Sequence, residues 1–176
     1  EGLAVAALLS ADASREDEAI LVRMTFNGPV QGVTVEALGN GDLRGYTSRK
    51  ILNELDGAAA IELAPAIGAA GMFELVRSVP GAVLSRARLN VEPPEPRAAA
   101  ARYINHSLQV PAAIELSSRV DGAGVIHARG LLAEKMPDAD TPAFVAALEA
   151  FHDHRVRDAL ARGLDLPALA AALGLA

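Results

Sequence analysis

The chain has 176 residues, no cysteine, no tryptophan, only four Phe and two Tyr, and 51% apolar residues. Disulfide scaffolds, thiolate metal sites and aromatic platforms for nucleic acid are thereby excluded. At about 100 to 200 residues per domain the length suits one compact unit. A net charge of −6 with no basic cluster would be repelled by phosphate backbones, so nucleic acid is not an expected partner. No apolar run approaches the roughly 20 residues of a bilayer span, and no basic stretch precedes an apolar segment near the start. The expectation is a soluble, cytoplasmic protein with no membrane partner.

Leu3, Ala6, Ala7 and Leu8 read as part of an amphipathic helix that opens without a cap or an initiator Met, which suggests a truncated N-terminus. After a charged loop over Ser14 to Glu18, Ile20, Val22, Met24 and Phe26 alternate with Leu21, Arg23 and Thr25 as a half-buried strand does. Asn27-Gly28-Pro29 turns the chain into a second strand, Gln31 to Leu38. Gly39-Asn40-Gly41-Asp42 supplies a hairpin turn before a third, Leu43 to Thr47. Met72 to Arg77, Pro80-Gly81 and Val83 to Val91 form a second hairpin, with Arg86 and Arg88 facing water.

The prolines of Glu92-Pro93-Pro94-Glu95-Pro96 cannot continue a ladder and hand the chain to a helix from about Arg97 to Leu108, with Ala101, Ile104 and Leu108 as its buried stripe. Ala112, Ile114 and Leu116 then alternate as a strand, and Asp121-Gly122-Ala123-Gly124 turns it onto Val125 to Met136. Thr141 caps a helix with Pro142 at its first position and Phe144, Val145, Leu148 and Phe151 at helical spacing. A last helix after Asp165 carries Leu166, Leu169 and Leu173 on one face. Strands segregated from terminal helices indicate α+β: an antiparallel meander and hairpin core packed by helices, with C-terminal helices. The expected division is a core over 1–140 and a C-terminal helical segment over 141–176.

Catalytic equipment is not legible, and the chain reads as a non-enzyme. His152 and His154, two apart on a helix, diverge, whereas helical zinc ligands sit three or four apart, so both read as solvated; nothing in the spacing joins His106 to His127. Gly39-Asn40-Gly41 lies between strands rather than before a helix, and Gly68-Ala69-Ala70-Gly71 lacks the acidic partner of a dinucleotide site. No G-x-S-x-G elbow occurs. Asp12, Glu16, Asp17 and Glu18 read as a solvated face, and Arg129 as a strand residue facing water.

One segment goes further. Ala101-Arg102-Tyr103-Ile104-Asn105-His106-Ser107-Leu108-Gln109-Val110-Pro111 resembles the Y-F-x-x-S-E-Q-x-P segment of the heat shock protein 33 family, redox-regulated bacterial holdase chaperones. Asn27-Gly28-Pro29-Val30 resembles that family's G-D-G-P turn, and Leu43-Arg44-Gly45-Tyr46 its L-R-G-Y strand. Ile67-Gly68 through Leu75 is similar to its glycine-containing strand, and Ala128-Arg129-Gly130-Leu131-Leu132 through Met136-Pro137 resembles its A-G-G-x-L-x-Q-x-x-P ending.

The resemblance implies a homodimeric core that holds unfolding client proteins on exposed apolar surface without ATP. Tyr103, Ser107, Gln109, Pro111 and Gly130 are then motif residues with a structural role, Tyr103, Ser107 and Gln109 anchoring the helix end to the next strand; client-binding residues are not assigned. In that family a C-terminal module with four zinc-binding cysteines shuts activity off. This chain has no Cys, so no cofactor is expected in it, and it ends near Ala176, where that module would begin. Leu108 stands where the family has glutamate and Arg129 where it has glycine. The alternative expectation is a diverged dimerisation or interaction domain that is no longer a chaperone.

Overall fold

The computed structural model describes residues 1–53, 62–121 and 124–174, which fall into two compact units: Gly2–Tyr103, and Glu1 with Ile104–Ala176. In the first, helix α1 (Gly2–Leu9) is followed by β1 (Ala19–Phe26), β2 (Gly32–Leu38), β3 (Leu43–Thr47), the short α2 (Leu63–Ile67), β4 (Gly71–Val79), β5 (Ala82–Val91) and α3 (Pro96–Arg102). The strands form one antiparallel sheet in the order β3-β2-β1-β4-β5. The expected meander and hairpin are thus joined by β1 pairing with β4, and the fold class is α+β.

Alternation sets which face is inside. Ile20, Val22 and Met24 of β1 stand opposite Ala37, Val35 and Val33 on one side, and Val22 and Met24 opposite Leu75 and Phe73 on the other. This row is the core, with Ile20 and Phe73 fully buried. α1 covers it by packing on β1, β2 and β3, and α3 packs on α1 and β5. The stripe α1 turns inward is Val5, Ala6 and Leu9, not the one through Leu3 and Leu8; Leu3 is exposed. Burying three such side chains contributes several kcal/mol, about 1.5 to 3 for a Val or Leu.

Glu18 departs from the solvated reading. Its side chain is only 2% exposed and accepts from Arg77 Nη2 (2.6 Å), Arg77 Nε (2.9 Å), Ser14 N (3.1 Å) and Ser14 Oγ (3.2 Å). Arg77 stands opposite Ile20 on the inward face and also reaches Asp12 at 3.1 Å. The Arg77 hydrogen bonds hold the Glu18 carboxyl below its ordinary range against the opposing effect of burial, with Ser14 adding to the shift.

The Asn27-Gly28-Pro29 turn docks on the end of α2: Gly28 N donates to Ile67 O (3.0 Å), Val30 N to Ala66 O (3.0 Å) and Ala70 N to Asn27 Oδ1 (3.2 Å). A Cβ at Gly28 would lie 2.4 Å from the Ile67 carbonyl carbon, so no larger residue fits there.

The second unit holds the hairpin β6 (Ala112–Asp121) and β7 (Gly124–Glu134), then α4 (Thr141–His152), α5 (Arg155–Arg162) and α6 (Leu166–Ala172). Residues 122 and 123 of the expected turn lie outside the described residues. The helices close a core of Ala147, Ala150, Val156, Ala159, Leu160, Leu169 and Leu173, against which Leu131 of β7 and Phe151 pack. The cap of α4 is Asp140, whose carboxylate accepts from Ala143 N at 3.2 Å, with Thr141 already helical. Leu169 and Leu173 are buried as expected, whereas Leu166 is exposed.

Arg129 does more than face water. Its Nη1 donates to Leu160 O (2.8 Å) and Ala161 O (3.2 Å), capping the C-terminus of α5. Gly163, at φ 75°, ends that helix, and a Cβ there would sit 2.8 Å from the Arg129 guanidinium.

Candidate functional site

Pro96 lies at the start of α3, where a missing amide is harmless, and Ala99, Ala100, Tyr103 and Ile104 are buried. From Tyr103 to Leu108 the chain continues as a π-helix. The wider turn changes the angular position of every later residue, so the expected stripe through Leu108 breaks: Ile104 is fully buried and Leu108 is 45% exposed. The Tyr103 ring meets Phe73 with centroids 6.0 Å apart and planes at 39°. Burial pushes its phenol pKa up, so Tyr103 serves as a neutral packing residue.

The two-bond clamp from this helix end to the next strand is made by Asn105. Its Nδ2 donates to Ala112 O (3.0 Å), and its Oδ1 accepts from Ala112 N (3.1 Å). Asn is a poor interior helix residue that readily binds local backbone, which is the signal in the sequence that could have singled it out. Ser107 and Gln109 are exposed, and Gln109 has φ 58° where the chain leaves the helix. Pro111 is exposed too, its carbonyl accepting from Lys135 N at 2.8 Å; half-buried Gly130 pairs with Leu116 across the hairpin. Gln109 and Pro111 line a hollow of about 340 Å³ with Val110, Glu134, Lys135, Met136 and Pro137. Tyr103 and Gly130 are not part of its lining.

Among the described residues, part of the exposed apolar surface lies at hairpin tips and a sheet edge. At the tip of β6–β7, Val120 and Val125 face each other across the hairpin at 68% and 70% exposure, next to exposed Ile126. At the tip of β4–β5, Val83 and Leu84 are exposed, and the edge strand β3 exposes Leu43 and Tyr46. On the sheet face opposite α1 the register makes two rows: Arg44, Glu36, Leu21, Val76, Arg86, and Tyr46, Thr34, Arg23, Glu74, Arg88. A groove of about 470 Å³ runs over its β1–β3 side, lined by Leu21, Arg23, Thr34, Glu36, Arg44 and Tyr46. Arg44 is ion-paired with Glu36, and Arg86 lies 3.6 Å from Glu74.

Catalytic chemistry has little to work with. Ser117 Oγ lies 3.0 Å from His127 Nε2, but no carboxylate among the described residues bonds the other ring nitrogen to orient it. His152 closes α4 and His154 sits at φ 67° between α4 and α5, both exposed. Among the described residues no group of three or more His, Cys, Asp or Glu side chains could hold a metal. With no Cys in the sequence, a thiolate zinc centre does not fit these 176 residues. No helix among the described residues is long and apolar enough to cross a membrane.

The sequence profile of the Hsp33 protein family matches residues 1–168. The "33 kDa chaperonin" of Synechocystis sp. is 30% identical over 154 residues, which are 86% of this chain and 51% of that protein. The protein of the same name from Rippkaea orientalis is 31% identical over 144 residues, 81% of this chain and 48% of its own length. The chain therefore spans about half the length of these relatives. The crystal structure of the 33 kDa chaperonin (heat shock protein 33 homolog) from Thermotoga maritima shares the fold, with a TM-score of 0.80 at 21% identity over 97% of this chain and 59% of that one. Fold and sequence lead to one assignment: the chain belongs to the Hsp33 family.

Proposed function

We propose that this chain is the core of an ATP-independent holdase chaperone that captures unfolding proteins on exposed apolar surface and works without a cysteine and zinc redox switch. The observation that carries the reading is the placement of Val83, Leu84, Val120, Val125 and Ile126 at hairpin tips, exposed on a chain of net charge −6. Apolar tips on a body of net negative charge catch hydrophobic segments while charge keeps the complex from precipitating. Family membership supports the same reading, as does the name chaperonin carried by its relatives. Client proteins are the partners, a homodimer the working form and the cytoplasm the compartment. No zinc and no enzymatic step are involved.

Light scattering from a thermally aggregating client, without nucleotide, tests this. The chain is expected to suppress aggregation equally in dithiothreitol and in peroxide, because it has no thiol to oxidise. Activity that required peroxide would refute the switch-free reading. Unchanged client aggregation, with no fluorescence from a dye that reports exposed apolar surface, would favour a dimerisation or interaction domain instead.

A further inference from the structure

Beyond client capture, we infer that the outer half of the β6–β7 hairpin carries a binding site for a phosphate-class oxyanion, formed by Ser117, Arg119, His127 and Arg129. The register places Ser117 opposite Arg129 and Arg119 opposite His127. Residues two apart on a strand share a face, so the four side chains stand at the corners of a patch about 5 Å by 7 Å. The diagonal Ser117 Oγ to His127 Nε2 contact of 3.0 Å brings that pair together at the centre of the patch, between the two arginine positions.

Charge and donor count then select the ligand. Arg119 makes no ion pair among the described residues. Arg129 gives one nitrogen, Nη1, to the α5 carbonyls, which leaves donors on Nε and Nη2. Two carboxylates border the patch on this face of β6: Glu115, two residues before Ser117, which Arg157 meets at 3.4 Å, and Asp121, two residues after Arg119. At the turn, the Asp121 carboxylate accepts from Gly124 N at 3.2 Å. The patch is thus locally cationic on an acidic chain.

Two guanidinium groups and the Ser117–His127 pair, which spends one proton on its own 3.0 Å hydrogen bond and keeps the other to donate, suit a tetrahedral anion with acceptors on every side better than a planar carboxylate. The ligand class is phosphate, free or as a phosphomonoester. Because Arg129 also caps α5, bound anion ties the hairpin to that helix.

Titration of the chain with inorganic phosphate, and separately with O-phosphoserine, tests this against sodium chloride at matched ionic strength and pH. Phosphate at about 10 mM is expected to raise Tm and to shift the amide resonances of Ser117, Arg119, His127 and Arg129, with a Kd near 1 mM. Arg119→Ala and Ser117→Ala should each weaken binding about tenfold, the loss expected for one charge-assisted hydrogen bond. Arg119 is exposed and unpaired among the described residues, so its variant keeps the fold. Binding of phosphate alone identifies the free anion as ligand; binding of both identifies the phosphoryl group. Equal responses to chloride and phosphate, or undiminished binding by Arg119→Ala, would overturn the site.

Discussion

The two units reach stability by different routes. The sheet unit relies on partners far apart in sequence: β1 meets β4 some fifty residues later, Phe73 packs at a tilt against Tyr103, and Glu18 takes its cation from Arg77. The hairpin-and-helix unit relies on small residues and helix ends: an alanine-rich core, Asp140 and Asp165 at N-termini, and Arg129 with Gly163 at the end of α5. Large buried side chains make the first sensitive to cavities, whereas the second depends on satisfying the exposed backbone groups of three short helices.

The largest test of that contrast is Phe73→Ala, expected to cost about 3 to 5 kcal/mol through the cavity left in the sheet core and read as a lowered urea midpoint. A change below about 1 kcal/mol would show that α1 and α3 can collapse onto the space.

Next comes Glu18→Gln, which leaves Arg77 with the exposed Asp12 as its carboxylate partner and should cost about 2 kcal/mol at neutral pH. Because the folded carboxyl titrates below its ordinary value of 4.5, its contribution is present above about that pH and is lost as pH falls through the folded pKa. The variant should therefore show a flatter acid limb in a plot of stability against pH. An unchanged acid limb would mean other carboxylates govern acid unfolding.

Arg129→Ala should remove about 1 kcal/mol, confined to the helical unit and visible as faster amide exchange in α5 while β1 and β4 stay protected. Equal acceleration in the sheet would erase the distinction between the units. Smallest is Asp165→Ala, about 1 kcal/mol or less, through loss of the 3.0 Å bond from Ala168 N that starts α6.

Much of the architecture was legible because strands and turns announce themselves locally. The alternation of Ile20, Val22 and Met24 and the turn around Gly41, at φ 92°, required no distant partner to be read. The five residues of α2 were not anticipated, since a segment that short carries no helical period. Nor was the π-helical stretch, since a 3.6-residue period assumed through Leu108 cannot register a change of winding at Tyr103. The resemblance over Tyr103 to Pro111 led to the family that residues 1–168 match, yet the backbone clamp in that segment belongs to Asn105.

By itself, then, the order of residues determined the strands, most helices, the α+β class and the absence of any thiolate ligand, because periodicity, turn chemistry and composition are properties of neighbouring positions. Only the tertiary structure decided that Glu18 is buried on Arg77, that Arg129 caps α5, and that Ser117, Arg119, His127 and Arg129 share one face. Each of those depends on register between strands or on contact between elements, and a charged side chain reads the same in sequence whether its partner is water or another residue.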